Sequence, residues 1–436
     1  MIQKPYSKMK VRVYDLGLFT HLAAALAEYF GVVEYFTPWV SPFSTPELQM
    51  IGSGIPGLTR IDSFEEDDDS VDLWVFFDVG NGDMQERLRR SGKLVFGCGD
   101  GEILEGKRGL FKKVLAGRGL PTGKYQMVTG VESLVKVLKS EQDKWIKVDN
   151  NARGVLESFH HKNWINSMST VDKWAHDLGF LREEQVFMIE DPIHPKDGVE
   201  PGCDRFFTNG NYLANCMYGF EAKGEGYSCI SLDFNDLPKP VLLVENAMRP
   251  VYAKYDIRGM MSSELRIGPD KKPHFIDACQ RAGRPPSGIS SARYTNFGPM
   301  VLGVAKGEAV VPEYDKKKPY ASEIIIHSSV TKNEQTTLPL EVKEKDLKRV
   351  KMGNICQAKQ KDGTMQFFAI LSNCGFMAEA IGFGSTLEES QQQAIESAQK
   401  IDCIGKDFNA NVFDDLDEKL ELADKYGVGL KSGKKG

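Results

Sequence analysis

Glu264 and Asp277 sit in two short strand-like runs, MMSSELRI and PHFIDAC, that flank Gly268-Pro269-Asp270-Lys271-Lys272. Gly, Pro and Asp are the residues a chain reversal requires. Two antiparallel strands joined there put the carboxylates on neighbouring positions of one sheet. Asp277, Cys279 and Arg281 alternate along the second run, so a strand would place all three on one face. Magnesium takes hard oxygen ligands, usually one or two carboxylates completed by phosphate and water. A guanidinium beside such a pair suits phosphate, whereas the thiol of Cys279 is a poor magnesium ligand. The competing reading is an edge strand with solvated charges, and the stretch alone favours it. What surrounds it in the chain decides.

The elements that must position these groups fit a multidomain α/β protein. The chain has 436 residues, too many for one compact core, and two to three domains are expected. A net charge of -6 without a long basic block argues against a nucleic-acid footprint. The eight cysteines form no CxxC pair, which suggests reduced thiols and a cytoplasmic location rather than a disulfide frame or a zinc site. The N-terminal MIQKPYSKMK lacks the apolar core of a signal peptide, and no apolar run is long enough to span a membrane.

Strand-like Val11–Leu16, a helix over His21–Tyr29 and the apolar run Val71–Phe77 predict a small Rossmann-like unit over residues 1–104. It lacks a GxGxxG fingerprint, so dinucleotide binding is not supported. The acidic run Glu65–Asp69 reads as a solvated loop. Further on, Val131–Leu138 predicts a helix and Lys144–Val148 a strand in which Lys147 lies opposite Ile146 and Val148. A lysine in an apolar strand is costly to bury unless it meets an anion. The polar turn DNNARGV follows it, and QVFMI runs directly into Glu190-Asp191. Residues 211–250 are the least legible stretch: 215–227 shows no clear period, and Pro238–Pro250 holds one apolar run, VLLV.

Taken in order, LEGKRGLFKKVLAGRGLPT, the strand lysine with its following turn, the acid pair after QVFMI and the Glu264/Asp277 hairpin resemble the ATP-grasp ligases. The resemblance is strongest to glycinamide ribonucleotide synthetases. GFGSTLEES before a helix is similar to their small C-terminal domain, so the likeness spans about residues 10–405. The resemblance implies an α/β fold with a Rossmann-like N-terminal domain (1–104), an ATP-grasp domain (105–298), a small α+β C-terminal domain (299–406) and a tail (407–436). It implies ATP and Mg2+ as cofactors. Lys107 and Lys147 would meet the phosphates, Glu190 and Asp191 would form the hinge beside the base, and Glu200 would take the ribose. Glu264 and Asp277 would hold the metal, with Arg281 and Arg153 steadying the transferred phosphoryl group. Arg249 is a weaker candidate for substrate contact. For Lys107 and Glu200 the competing readings are an exposed helix-start lysine and a surface acid.

The implied reaction is an ATP-dependent carboxylate–amine ligation through an acyl phosphate, as in purine biosynthesis. Its partners would be a small-molecule carboxylate and amine, without membrane or nucleic acid, and the protein would be a monomer or homodimer. Three departures stand out. The turn after Lys147 has only Gly154, Cys279 stands where the family has asparagine, and Ala282-Gly283-Arg284-Pro285-Pro286 replaces an acidic loop. They keep two alternatives open: a nucleotide-binding protein of this fold without turnover, and a ligase that joins an amino acid to a different acceptor.

Overall fold

The computed structural model describes residues 4–38, 50–149, 158–330, 336–371 and 376–430. Arg153 and Gly154 lie outside them, as does most of the turn that holds them. The first unit is a five-stranded parallel sheet in the order Leu58–Arg60, Phe30–Phe36, Tyr6–Tyr14, Leu73–Phe76, Val95–Phe96. Leu73, Trp74 and Val75 are all fully buried, which is why their run shows no alternation. The acidic run beside them is not merely solvated. Asp68 accepts a hydrogen bond from Arg12, which is buried and also pairs with Glu34 at 2.6 Å. The run thus neutralises a guanidinium that the sheet buries.

A second, antiparallel sheet has the order Tyr125–Thr129, Val186–Glu190, Lys144–Val148, Ser158–His161. The helices Val131–Leu138 and Trp164–Leu178 cover one face of it with Leu134, Leu138, Val171 and Trp174, against Ile146, Phe187 and Ile189. This small core leaves the other face, with Trp145 and Lys147, turned away from it.

The largest sheet carries the acidic hairpin at its edge. Its path runs His274–Cys279, Met260–Arg266, Pro201–Thr208, Asn215–Ala222, Gly226–Asp233, Tyr320–Ser328, Phe376–Gly384, Val350–Met352. The sheet therefore passes from residues before 298 to residues after it, through pairing of Gly226–Asp233 with Tyr320–Ser328. The helix Lys239–Lys254, in the least legible stretch, packs its Glu245 beneath this sheet. Glu245 is fully buried, paired with Arg205 and accepting from Ser263 Oγ at 2.6 Å, so the residue next to Glu264 is anchored from below. An internal proline and a buried acid on the inner face conceal this helix from a search for apolar periodicity.

At the C-terminal end Thr386 caps the helix Leu387–Ala398, accepting from the Glu389 N–H, and Glu389 returns a bond to the Ser385 N–H at 2.7 Å. In the segment 407–436, whose acidic sequence has helix-like character and was expected to be a tail, the described residues end at Leu430 and pack on the molecule. Val412–Tyr426 forms a helix whose Val412, Phe413, Leu416, Leu420 and Ala423 are buried in the main core. Its alternation of acids with apolar residues is an amphipathic stripe at helical spacing. Among the described residues no helix is long and apolar enough to cross a membrane, and no disulfide joins the cysteines.

Candidate functional site

The hairpin forms as its turn residues require. Glu264 lies directly across from Asp277 in the antiparallel pair Met260–Arg266 and His274–Cys279, with a register shift just after Glu264. Two carboxylates on adjacent strands repel, and their surroundings only partly relieve this. Burial and the neighbouring Asp277 raise the pKa of Glu264, against the pull of Lys223, whose Nζ lies 3.0 Å from it. Asp277, whose side chain is 30% exposed, has its pKa held below the usual range by Arg108, Lys147, Lys223 and Arg281, although desolvation opposes them. Arg108 Nη1 stands 3.7 Å from it. One acid of the pair thus favours its proton and the other its charge. A divalent cation would let both ionise, so the donor set fits magnesium.

Cys279 ends the strand, buried, and burial together with Asp277 pushes its thiol well above the ordinary value. It stays protonated and offers no charge to a cation. Arg281 lies two residues beyond the end of the strand. Its Nε donates to Glu105 at 3.0 Å, and the other oxygen of Glu105 accepts the Gln280 N–H at 2.6 Å. Glu105, in the short helix Ile103–Gly106, therefore clamps the chain as it leaves the sheet and fixes the guanidinium.

On the second sheet, Glu190 is held by two lysines: Lys147 Nζ at 2.9 Å and Lys112 Nζ at 2.8 Å. Burial alone would raise the Glu190 pKa, but the two ammonium groups lower it. Lys112 is 2% exposed, and its ammonium also donates to the Thr122 carbonyl at 2.7 Å. It sits on the helix Arg108–Gly117 beside Phe111 and Leu115, on the buried face. Sequence reasoning chose Lys107 at the head of this helix, but Lys107 is exposed. The signal for Lys112 was the one that singled out Lys147, a lysine on an apolar stripe.

Apart from the buried Lys112 and Cys279, these groups line two cavities. The first, about 330 Å³, lies between the two antiparallel sheets and is lined by Lys147, Glu190, Asp191, Glu200, Glu264 and Asp277, among others. Trp145 and His160, stacked at 5.0 Å, form part of its wall. Asp191 pairs with Lys144 at 2.5 Å, and Glu200 with Arg266 at 2.9 Å. The second cavity, about 780 Å³, opens between the parallel sheet's loops and the start of the helix Arg108–Gly117, with Lys107, Arg108, Asp277 and Arg281 on its wall. Asp277 lines both. Arg249 lines neither: it donates to Asn211 at 3.0 Å and stacks over Tyr212.

At the far end of the second cavity Glu102 caps the helix Gly82–Arg90. Its carboxylate accepts the N–H groups of Gly80, Asn81 and Gly82 at 2.8, 3.1 and 3.0 Å, and the Gln85 amide at 2.8 Å. The loop after Arg281 is closed in a similar way. Arg284 donates to the buried Glu379 at 2.9 Å and lies over Phe376, so this added arginine is taken up by the C-terminal unit.

No protein-family model matches the chain, and no curated protein does. Solved structures do match over nearly its whole length. One is phosphoribosylamine–glycine ligase from Thermotoga maritima, at a TM-score of 0.63 and 17% identity, covering 92% of this chain and 100% of that one. Another is the biotin carboxylase domain of the Hydrogenobacter thermophilus 2-oxoglutarate carboxylase, in complex with MgADP and bicarbonate (0.61, 12%, covering 94% and 98%). A third is an L-amino acid ligase from Bacillus licheniformis (0.55, 14%, covering 91% and 98%). What this chain shares with them is a fold.

Proposed function

From the ATP-grasp fold, which this chain has, we propose that the protein is an ATP-dependent carboxylate–amine ligase acting through an acyl phosphate. One observation carries the reading: Asp277 belongs to the wall of both cavities, with its partner Glu264 on the side of the first. A nucleotide in the first cavity would have its terminal phosphate at the carboxylate pair, where a carboxylate substrate in the second could reach it.

In this reading Glu190 and Asp191, which join the second sheet to the rest of the cleft, flank the base, and Glu200 takes the ribose hydroxyls. Lys147 and Lys112 turn from Glu190 toward the phosphates, and Lys107 approaches from the wall of the second cavity; Arg153, outside the described residues, keeps only the phosphate role the resemblance implies. Glu264 and Asp277 would hold magnesium, whose charge would offset that of the phosphates. The substrate carboxylate oxygen attacks the γ-phosphorus, a P–O bond forms, and the bond to ADP breaks. Arg281, held in place by Glu105, stabilises the charge on the phosphoryl oxygens. Positioning and charge supply most of the catalysis in such a transfer. The amine then attacks the acyl carbon, phosphate leaves with the bonding pair, and the amine's proton passes to solvent.

The second reading concerns the acceptor. Phosphoribosylamine with glycine, the pair of purine biosynthesis, is the first to test. The burial of Arg284 against Glu379 gives the loop after Arg281 an architectural duty, which favours a different acceptor. The test is ADP release from MgATP with a panel of carboxylates and amines. Release that needs both members of one pair is expected. Protein that binds ATP yet releases no ADP with any pair is not a ligase.

A further inference from the structure

Beyond the carboxylate pair, a second cluster gathers at the outer edge of the first cavity. His194, Asp270 and His274 bring one ligating atom each to within 4.8 Å of one another. We propose that they form a separate site for a zinc-class transition metal, which ties the loop after Glu190 to the turn of the acidic hairpin.

The geometry is prepared without the ion. His194 Nε2 and Asp270 Oδ1 are 3.2 Å apart. Ligands bound tetrahedrally at about 2.0 Å stand about 3.3 Å from each other, so this edge already has its bound length. His274 presents its ring to that of His194 at 5.9 Å, and its Nδ1 is buried without a hydrogen-bond partner. Such an imidazole has an unmet polar atom beside two ligating groups.

The backbone around His194 is also committed. The residue is left-handed (φ 45°), and its carbonyl accepts from Arg266 Nη2 at 2.8 Å and the Gly198 N–H at 3.0 Å. Gly268 makes room for the imidazole: a Cβ there would lie 2.3 Å from the ring. Asp270 is oriented by the Lys272 N–H at 3.1 Å. His194 and Asp270 are held by these backbone contacts and His274 by its place in the strand His274–Cys279, which together describe a preorganised site. Two imidazole nitrogens select zinc or cobalt over magnesium. The site is therefore chemically distinct from Glu264 and Asp277. Ile193 and Pro195, on either side of His194, line the first cavity, so occupancy of the site fixes that wall.

The test needs only the metal. Untagged protein, stripped with a chelator and free of nucleotide, is titrated with Zn2+ by calorimetry and with Co2+ by absorption, in excess Mg2+. One Zn2+ per chain is expected, with intense tetrahedral ligand-field bands for Co2+ and no thiolate charge-transfer band. His274→Asn and His194→Asn should each weaken Zn2+ binding by about tenfold or more, with unchanged unfolding of the metal-free proteins. No saturable binding, a thiolate band, or full affinity in the double variant would overturn the assignment. If the His274 variant fails to fold, His194→Asn in its surface loop and the wild-type cobalt spectrum decide alone.

Discussion

Glu190 and the Glu264–Asp277 pair line one cavity from different sheets, and their surroundings are out of balance in opposite directions. Two lysines converge on the single carboxylate of Glu190. Two carboxylates face each other in the hairpin, with Lys223 on one and Arg108 at a longer distance from the other. The first centre has a cation to spare and suits an incoming anion. The second, where Glu221 also shares Lys223 at 3.2 Å, has an anion to spare and suits an incoming cation. A metal–polyphosphate complex brings both, and this complementarity is what a fold match by itself does not supply.

If that contrast is functional, the largest effect comes from removing the acidic excess. Glu264→Gln combined with Asp277→Asn should lower the ADP-forming rate by on the order of 10³, read by coupled ADP release. Nucleotide binding measured without magnesium should persist, and an unchanged rate would end the metal assignment. The next effect is on the basic side. Lys112→Ala should weaken ATP binding about 10- to 100-fold, as expected for a lost charged hydrogen bond, with Lys147→Ala similar. Lys107→Ala should cost much less, and calorimetry that ranks the two lysines in reverse would restore the helix-start residue.

A subtler difference lies in pH. Because the folded-state pKa of Glu264 is raised, the stability it lends when protonated is present at low pH and is lost as pH rises through that value. Metal-free protein should therefore lose stability relative to Glu264→Gln as pH climbs above the ordinary glutamate value of 4.5. Saturating magnesium should erase the difference, which urea unfolding across pH will show. The smallest effect is expected at Cys279. Replacing the neutral thiol by asparagine adds an oxygen beside the pair, and magnesium affinity should rise about fivefold, near 1 kcal/mol. If Cys279→Asn instead creates turnover in a protein that has none, the chain keeps the fold without the reaction.

Much of this was legible in the sequence where local chemistry and global placement agree. The Glu264–Asp277 register follows from a turn sequence and a period of two, and Lys147 from a charge in an apolar strand. Lys112 was passed over because a helix-start lysine nearby offered a simpler match. Lys223, Arg108 and Glu105 come from distant segments and carry no local signature. The helix Lys239–Lys254 was illegible because its inner face holds Glu245, which only a partner from another strand, Arg205, makes tolerable. The helical character of Val412–Tyr426 was legible, but its docking into the core was not, because its acids outnumber its apolar stripe. Arg153 and its turn fall outside the described residues.

Glu102 occupies the amino end of a helix, where three backbone N–H groups and an amide would otherwise welcome an anion from solution. The chain has installed its own guest there. Burial pushes this carboxyl up to about 7, against the pull of those backbone donors. Near neutrality the seat thus alternates between a charged and an uncharged tenant. Protonation of that one carboxyl would loosen its hold on the seat, so the capacity of this end of the cavity for a negatively charged group depends on acidity as well as shape.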